Sequence, residues 1–133
     1  MTSSKPADGG GASISMELLR EIHDAFNRRD ADAIAAFFAD DATFHMATGP
    51  DYNGRAVHGK GAIRQVLADR FLLIPDMSWE WISGFTAGGR AMTVWRVTGN
   101  SEDGGALDFQ GCDLWEFRDG LVLNKDTYWK IRT

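Results

Sequence analysis

The residue in this sequence best placed to do chemistry is Asp113. It lies in the segment 106–117, Ala-Leu-Asp-Phe-Gln-Gly-Cys-Asp-Leu-Trp-Glu-Phe. Read with a period of two, Leu107, Phe109, Gly111, Asp113, Trp115 and Phe117 share one face of a strand. Asp108, Gln110, Cys112, Leu114 and Glu116 take the other. A carboxylate is thereby predicted on an apolar face, where an unpaired charge is costly. Desolvation favours the protonated acid, which can donate a proton. A neighbouring cation favours the carboxylate, which serves as a base or as a structural ion.

Three further residues could act with it. In the last strand, Leu121, Leu123, Lys125, Thr127, Trp129 and Ile131 form the more apolar face, so Lys125 is expected to point inward near Asp113. A Lys–Asp pair can serve acid–base chemistry or simply hold the fold together. His45 is the one histidine placed in a predicted strand. Strict alternation turns it away from Phe44 and Met46, and a bulge would re-aim it into the pocket. Arg96 follows Trp95 in an otherwise apolar strand, where it could hold a substrate oxygen or pair with Asp113. Phe26, Phe44, Met46, Trp81, Trp115 and Trp129 are candidate walls for a flat ligand, with Tyr52 on a covering loop.

The whole chain narrows what these residues can serve. At 133 residues and 44% hydrophobic it has the material for one packed core. A net charge of −5 argues against nucleic acid as a partner, because no basic stripe is present to displace counterions. No apolar run approaches the roughly 20 residues that cross a bilayer, and no leader-like segment opens the chain, so a cytoplasmic location without a membrane partner is expected. Cys112 is the sole cysteine, and His23, His45 and His58 lack metal-ligand spacing, so neither a metal nor a cofactor is expected.

The elements that must position these groups fall in two halves. Residues 1–13 read as a flexible tail and 14–133 as a single domain. Ser13 or Ser15 caps a first helix with Leu18, Leu19, Ile22, Ala25 and Phe26 inside. Asp30 caps a short second helix through Phe38, residues 42–47 read as a strand, and 48–57 as a loop. Gly59 opens a third helix with Ile63, Val66, Leu67 and Phe71 inside, ended by Pro75. Alternating strands follow, with turns at Gly88-Gly89 and Asp119-Gly120. The predicted class is α+β, a cone-shaped, curved antiparallel sheet with three helices of the N-terminal half on its concave face. Such a cone holds one deep pocket suited to a small apolar or aromatic molecule. Apolar residues such as Ile82 on the outer face suggest a homodimer.

This arrangement resembles the nuclear-transport-factor-2-like superfamily, with its SnoaL-like polyketide cyclases and ketosteroid isomerases. The resemblance is carried by Asn27-Arg-Arg-Asp30, Ala36-Phe-Phe-Ala-Asp-Asp-Ala-Thr-Phe44, His58-Gly-Lys-Gly-Ala-Ile63, Asp113-Leu-Trp-Glu-Phe-Arg-Asp-Gly120 and Tyr128-Trp129. Compared with the ketosteroid isomerases, the position of the general base is Met46, that of the oxyanion-hole tyrosine is Ile22, and that of the protonated aspartic acid is Asp113. The resemblance therefore implies a pocket containing Asp113 and not steroid isomerisation by that mechanism. The limonene epoxide hydrolase pattern is similarly incomplete, with Arg96-Val-Thr98 and Thr127 where two carboxylates would stand. SnoaL-like cyclases use a pocket aspartate in ring closure, a role open here to Asp113, or to Asp126 if the last strand is shifted. The expected function is cofactor-independent acid–base catalysis, by cyclisation, isomerisation or hydration and dehydration, on a carbonyl or polyketide-like molecule. A small-molecule binding protein and a dimeric protein-association module are the alternatives.

Overall fold

The computed structural model describes residues 13–133, so the expected tail lies, apart from Ser13, outside the described residues. Helix α1 spans Met16–Asn27, with the Ser15 hydroxyl accepting a hydrogen bond from the Leu18 amide. Its stripe of Leu19, Ile22, Ala25 and Phe26 is buried, as the helical spacing requires. Helix α2, Ala31–Ala35, is capped by Asp30. It is shorter than expected, because Phe37 is already irregular and Phe38 opens strand β1, Phe38–His45. The loop after β1 contains a short strand, β2, Ala56–His58, which pairs with residues 43–45 of β1. Helix α3, Lys60–Leu73, starts at Gly59, whose φ of 92° suits a residue without a side chain, and stops before Pro75.

Four long strands complete the chain: β3 Ser78–Ala87, β4 Arg90–Asn100, β5 Ala106–Arg118 and β6 Leu121–Lys130. They form a six-stranded sheet in the order β2-β1-β6-β5-β4-β3. All neighbours run antiparallel except β1 and β6, which are parallel. Asp119 and Gly120 both have positive φ, as a tight turn between right-twisted strands demands. The sheet is curved but not closed into a barrel. Register breaks at Ile82 in β3, between Phe38 and Thr43 in β1, and at Leu123 in β6 supply bends. The last of these corrects the expected inner face of β6. One extra residue at Leu123 brings Val122 inward and leaves Leu121 exposed, while Lys125, Thr127 and Trp129 keep their predicted side.

The helices lie on the inner face. Leu19, Ile22, Phe26, Ile34, Ile63 and Leu67 share one buried cluster with Phe44, Trp115, Phe117 and Val122 of the sheet. Residues of the Asn27–Asp30 motif act as ties in this packing. The Asn27 side chain accepts a hydrogen bond from the Trp79 amide at 2.7 Å and donates to the Trp79 carbonyl at 3.0 Å. Arg29 donates to the Met77 carbonyl at 3.0 Å, and Asp30 caps α2. The Asn27 and Arg29 bonds fix the end of α1 against the start of β3.

Gly111 has a local reason to be glycine. It pairs with Trp95 on β4 and Trp129 on β6. A Cβ there would lie 2.7 Å from the Trp95 ring and closer still to the Tyr128 carbonyl. The missing side chain lets the Trp95 indole lie across β5. Gly111→Ala is expected to cost about 1–3 kcal/mol through this overpacking. The measurement is the urea midpoint, and an unchanged midpoint would show that the ring moves aside freely.

Candidate functional site

The strand registers place the polar inner-face groups side by side. Asp113 on β5 sits between Thr93 on β4 and Thr127 on β6. One row further along, Trp115 stands between Ala91 and Lys125, and Phe44 on β1 is the parallel partner of Lys125. Alternation then points all of these side chains toward the helices.

Asp113 and Lys125 are only 5% and 4% exposed, and they meet. The Lys125 ammonium lies 3.0 Å from Asp113 Oδ1 and donates to Thr127 Oγ1 at 2.6 Å. Thr127 in turn donates to Asp113 Oδ1 at 2.5 Å, and the Trp95 indole N–H donates to Oδ2 at 2.9 Å. The carboxylate thus has a cation and two neutral donors around it. The ammonium also lies 3.9 Å from the centroid of the Phe44 ring, with the Phe26 and Trp115 rings beyond 5 Å. Trp115 Nε1 donates to Thr93 Oγ1 at 3.0 Å, so the indole N–H groups of Trp95 and Trp115 are both satisfied.

In front of this cluster opens a pocket. Its cavity volume is about 50 Å³, room for a few ordered waters. Its walls combine Asp113, Lys125, Thr93 and Thr127 with Phe26, Phe44, Trp79, Trp95, Trp115 and Trp129, and with Arg70 and His23 from the helices. Burial sets the proton affinities here. It pushes the Lys125 pKa below that of a free lysine, a shift opposed by the Asp113 charge and reinforced by Arg70. It also lowers the His23 pKa, partly offset by the hydrogen bond to Trp79 and by nearby Asp24.

The lowered Lys125 pKa has a consequence for stability. Between the folded value and the ordinary lysine value, the unfolded chain binds more protons than the folded one. Stability attributable to this group therefore rises with pH across that window and is flat below it. Urea unfolding of the wild type and of Lys125→Met at stepped alkaline pH is expected to show this rise as the difference between the two curves. A difference that falls with pH would mean the ion pair outweighs burial.

The other residues singled out from the sequence are placed elsewhere. Arg96 lies between buried Trp95 and Val97, so alternation turns it to the outer face, where it forms a two-pronged pair with Asp108 at 2.7 and 2.9 Å. His45 keeps strict alternation as well and stays outside the pocket, with a buried Nδ1 that has no hydrogen-bond partner. Met46 is half-buried and packs against the core without lining the pocket. Tyr52 is fully exposed. Trp81 is covered by the Arg20 guanidinium, 3.9 Å from its ring centroid, and touched edge-on by His23. Arg70 escaped the sequence reading although its spacing from Ile63 and Leu67 puts it on the buried stripe of α3. Among the described residues no three His, Cys, Asp or Glu side chains gather as a metal site, and no helix is long and apolar enough to cross a membrane.

The SnoaL-like domain matches residues 19–124, most of the chain. A cystatin-fold protein of Novosphingobium aromaticivorans superposes with a TM-score of 0.72 at 25% identity, covering 87% of this chain and 96% of that one. A proposed polyketide cyclase of Xanthomonas campestris gives 0.74 at 23% identity, covering 86% and 88%. A protein of ketosteroid isomerase-like fold from Catenulispora acidiphila, solved with trimethylamine, gives 0.74 at 16% identity, covering 89% and 88%. No curated protein sequence matches significantly.

Proposed function

Since the chain belongs to the SnoaL-like domain family, we propose that it is a cofactor-independent enzyme moving protons on a small, largely apolar carbonyl or polyketide-like molecule. The observation that carries this reading is the Asp113–Lys125 pair buried at the wall of an aromatic pocket. Proton abstraction next to a carbonyl needs a base for the C–H proton and a donor for the oxygen that gains charge. In this scheme the Asp113 carboxylate takes the proton and Lys125 donates to the carbonyl oxygen. The enolate so formed is then reprotonated on carbon, adds to a second carbonyl of the same molecule whose new alkoxide takes the proton back from Asp113, or expels a β-hydroxyl that leaves as water with that proton. Burial has already lowered the hold of Lys125 on its proton, which favours its role as a donor.

The experiment is deuterium exchange. Wild-type protein incubated in heavy water with a panel of aryl methyl ketones should speed loss of the α-proton signal well above the buffer rate. Binding of those ketones without any exchange would favour the second reading, a binding protein whose ion pair is structural. That reading has its own support, because Asp113 already accepts from three donors and the Phe44 ring covers Lys125.

We propose further that the protein works as a homodimer joined through the outer face of the sheet. There Phe85 on β3, Leu114 on β5 and Tyr128 on β6 are exposed, with Ile82 at the β3 bulge. Sedimentation at micromolar concentration should give a dimer, and Leu114→Glu should give monomers. A wild type that is monomeric throughout would remove the proposal.

A further inference from the structure

Asp113, Lys125 and Arg70 are the charged groups at the pocket wall, beside the histidine His23. Asp113 and Lys125 compensate each other. Arg70 has no such partner. Among the described residues no carboxylate lies within ion-pair distance of its guanidinium, and no aromatic ring stacks on it. It is half-buried in the last turn of α3, on the stripe that carries Ile63 and Leu67 into the core. The local cost is visible at Lys125, whose proton Arg70 helps to expel. A desolvated cation with no counter-charge is unfavourable unless something supplies one. The planar fork of arginine matches a carboxylate or an enolate in a two-pronged contact, and it cannot shed its own charge.

We propose that the pocket takes an anionic ligand, an aromatic or largely apolar compound bearing a carboxylate or a comparably acidic oxygen. Its charged end pairs with Arg70 and its body lies among the tryptophans. Two cations would then face two anions across the site. This rests on the reading of the pocket as a ligand site and names the substrate class for it: a carbonyl compound that also carries an acidic group.

The test uses naphthoate and its neutral, near-isosteric methyl ketone, acetylnaphthalene, titrated against the full chain. Trp79, Trp95, Trp115 and Trp129 line the pocket and report binding by fluorescence. Naphthoate should bind roughly 10–100-fold more tightly than the ketone, the range of one charge-assisted contact. Arg70→Met should erase that preference, and Arg70→Lys should keep part of it. Arg70→Met should also melt no lower than the wild type, since it removes an uncompensated charge. Equal binding of the two probes, tighter binding of the ketone, a preference that survives in Arg70→Met, or a substantially lower melting point would each overturn the anionic assignment. Ketone binding alone leaves the ligand-site reading standing. Binding of neither probe sinks both.

Discussion

Replacing Asp113 with alanine is expected to destabilise the fold by about 3–5 kcal/mol, and adding Lys125→Met is expected to recover part of that loss. The single substitution leaves the Lys125 ammonium buried among Phe26, Phe44 and Trp115 with no counter-charge. It also removes the acceptor for the Thr127 hydroxyl and the Trp95 indole. The second substitution deletes the stranded charge and fills the aromatic slot with a flexible apolar chain. What remains unpaired is two neutral donors, each worth about 1–3 kcal/mol at most. Urea unfolding of the four proteins of this cycle gives the coupling energy directly. A double variant no more stable than Asp113→Ala would mean that the lost hydrogen bonds, and not the ion pair, dominate the cost.

Lys125→Met alone should lower α-proton exchange by roughly 10²–10⁴-fold, the usual cost of losing a positioned proton donor. The ketone's affinity should change far less, because methionine keeps the width of the slot and the stacking walls are untouched. Arginine is not a substitute at this position. Its charge is locked on and its fork is broader than the gap between Asp113, Thr127 and the Phe44 ring. Lys125→Arg is therefore expected to behave like the methionine variant in exchange. Full activity in Lys125→Arg would reduce the lysine to a source of positive charge.

The central strand was legible in the sequence for a plain physical reason. The β4–β5 ladder runs without a register break from Arg90 to Asn100, so counting by twos put Asp113 on the right face. The same counting on β6 succeeded for Lys125 and Thr127 and failed for Leu121 and Leu123, because an extra residue at Leu123 shifts the phase. No residue type in that stretch announces the bulge. Strand β2 was missed because three residues among turn formers carry too little periodicity, and the pairing with β1 decides their conformation. The family motifs named the fold, yet Asn27 and Arg29 turn out to tie the end of α1 to the start of β3, and Asp30 to cap α2. Arg96 was open to correction by alternation alone, since both its neighbours are large and buried. Arg70 sat on a helical stripe where a charge is unexpected, and the fold is what gives it a pocket to face. The reaction and the ligand are beyond such counting, because they depend on distances between strands far apart in sequence.

The most direct measurement compares proton exchange with ligand affinity in Asp113→Asn. Asparagine keeps the shape of the side chain and an acceptor for Thr127, and it cannot take a proton. If Asp113 is the base, exchange at the α-carbon of a bound ketone falls by roughly 10²–10⁴-fold. Binding of the same ketone, read from the pocket tryptophans, persists. Exchange at the wild-type rate in a well-folded Asp113→Asn protein would contradict the account and remove this carboxylate from the mechanism.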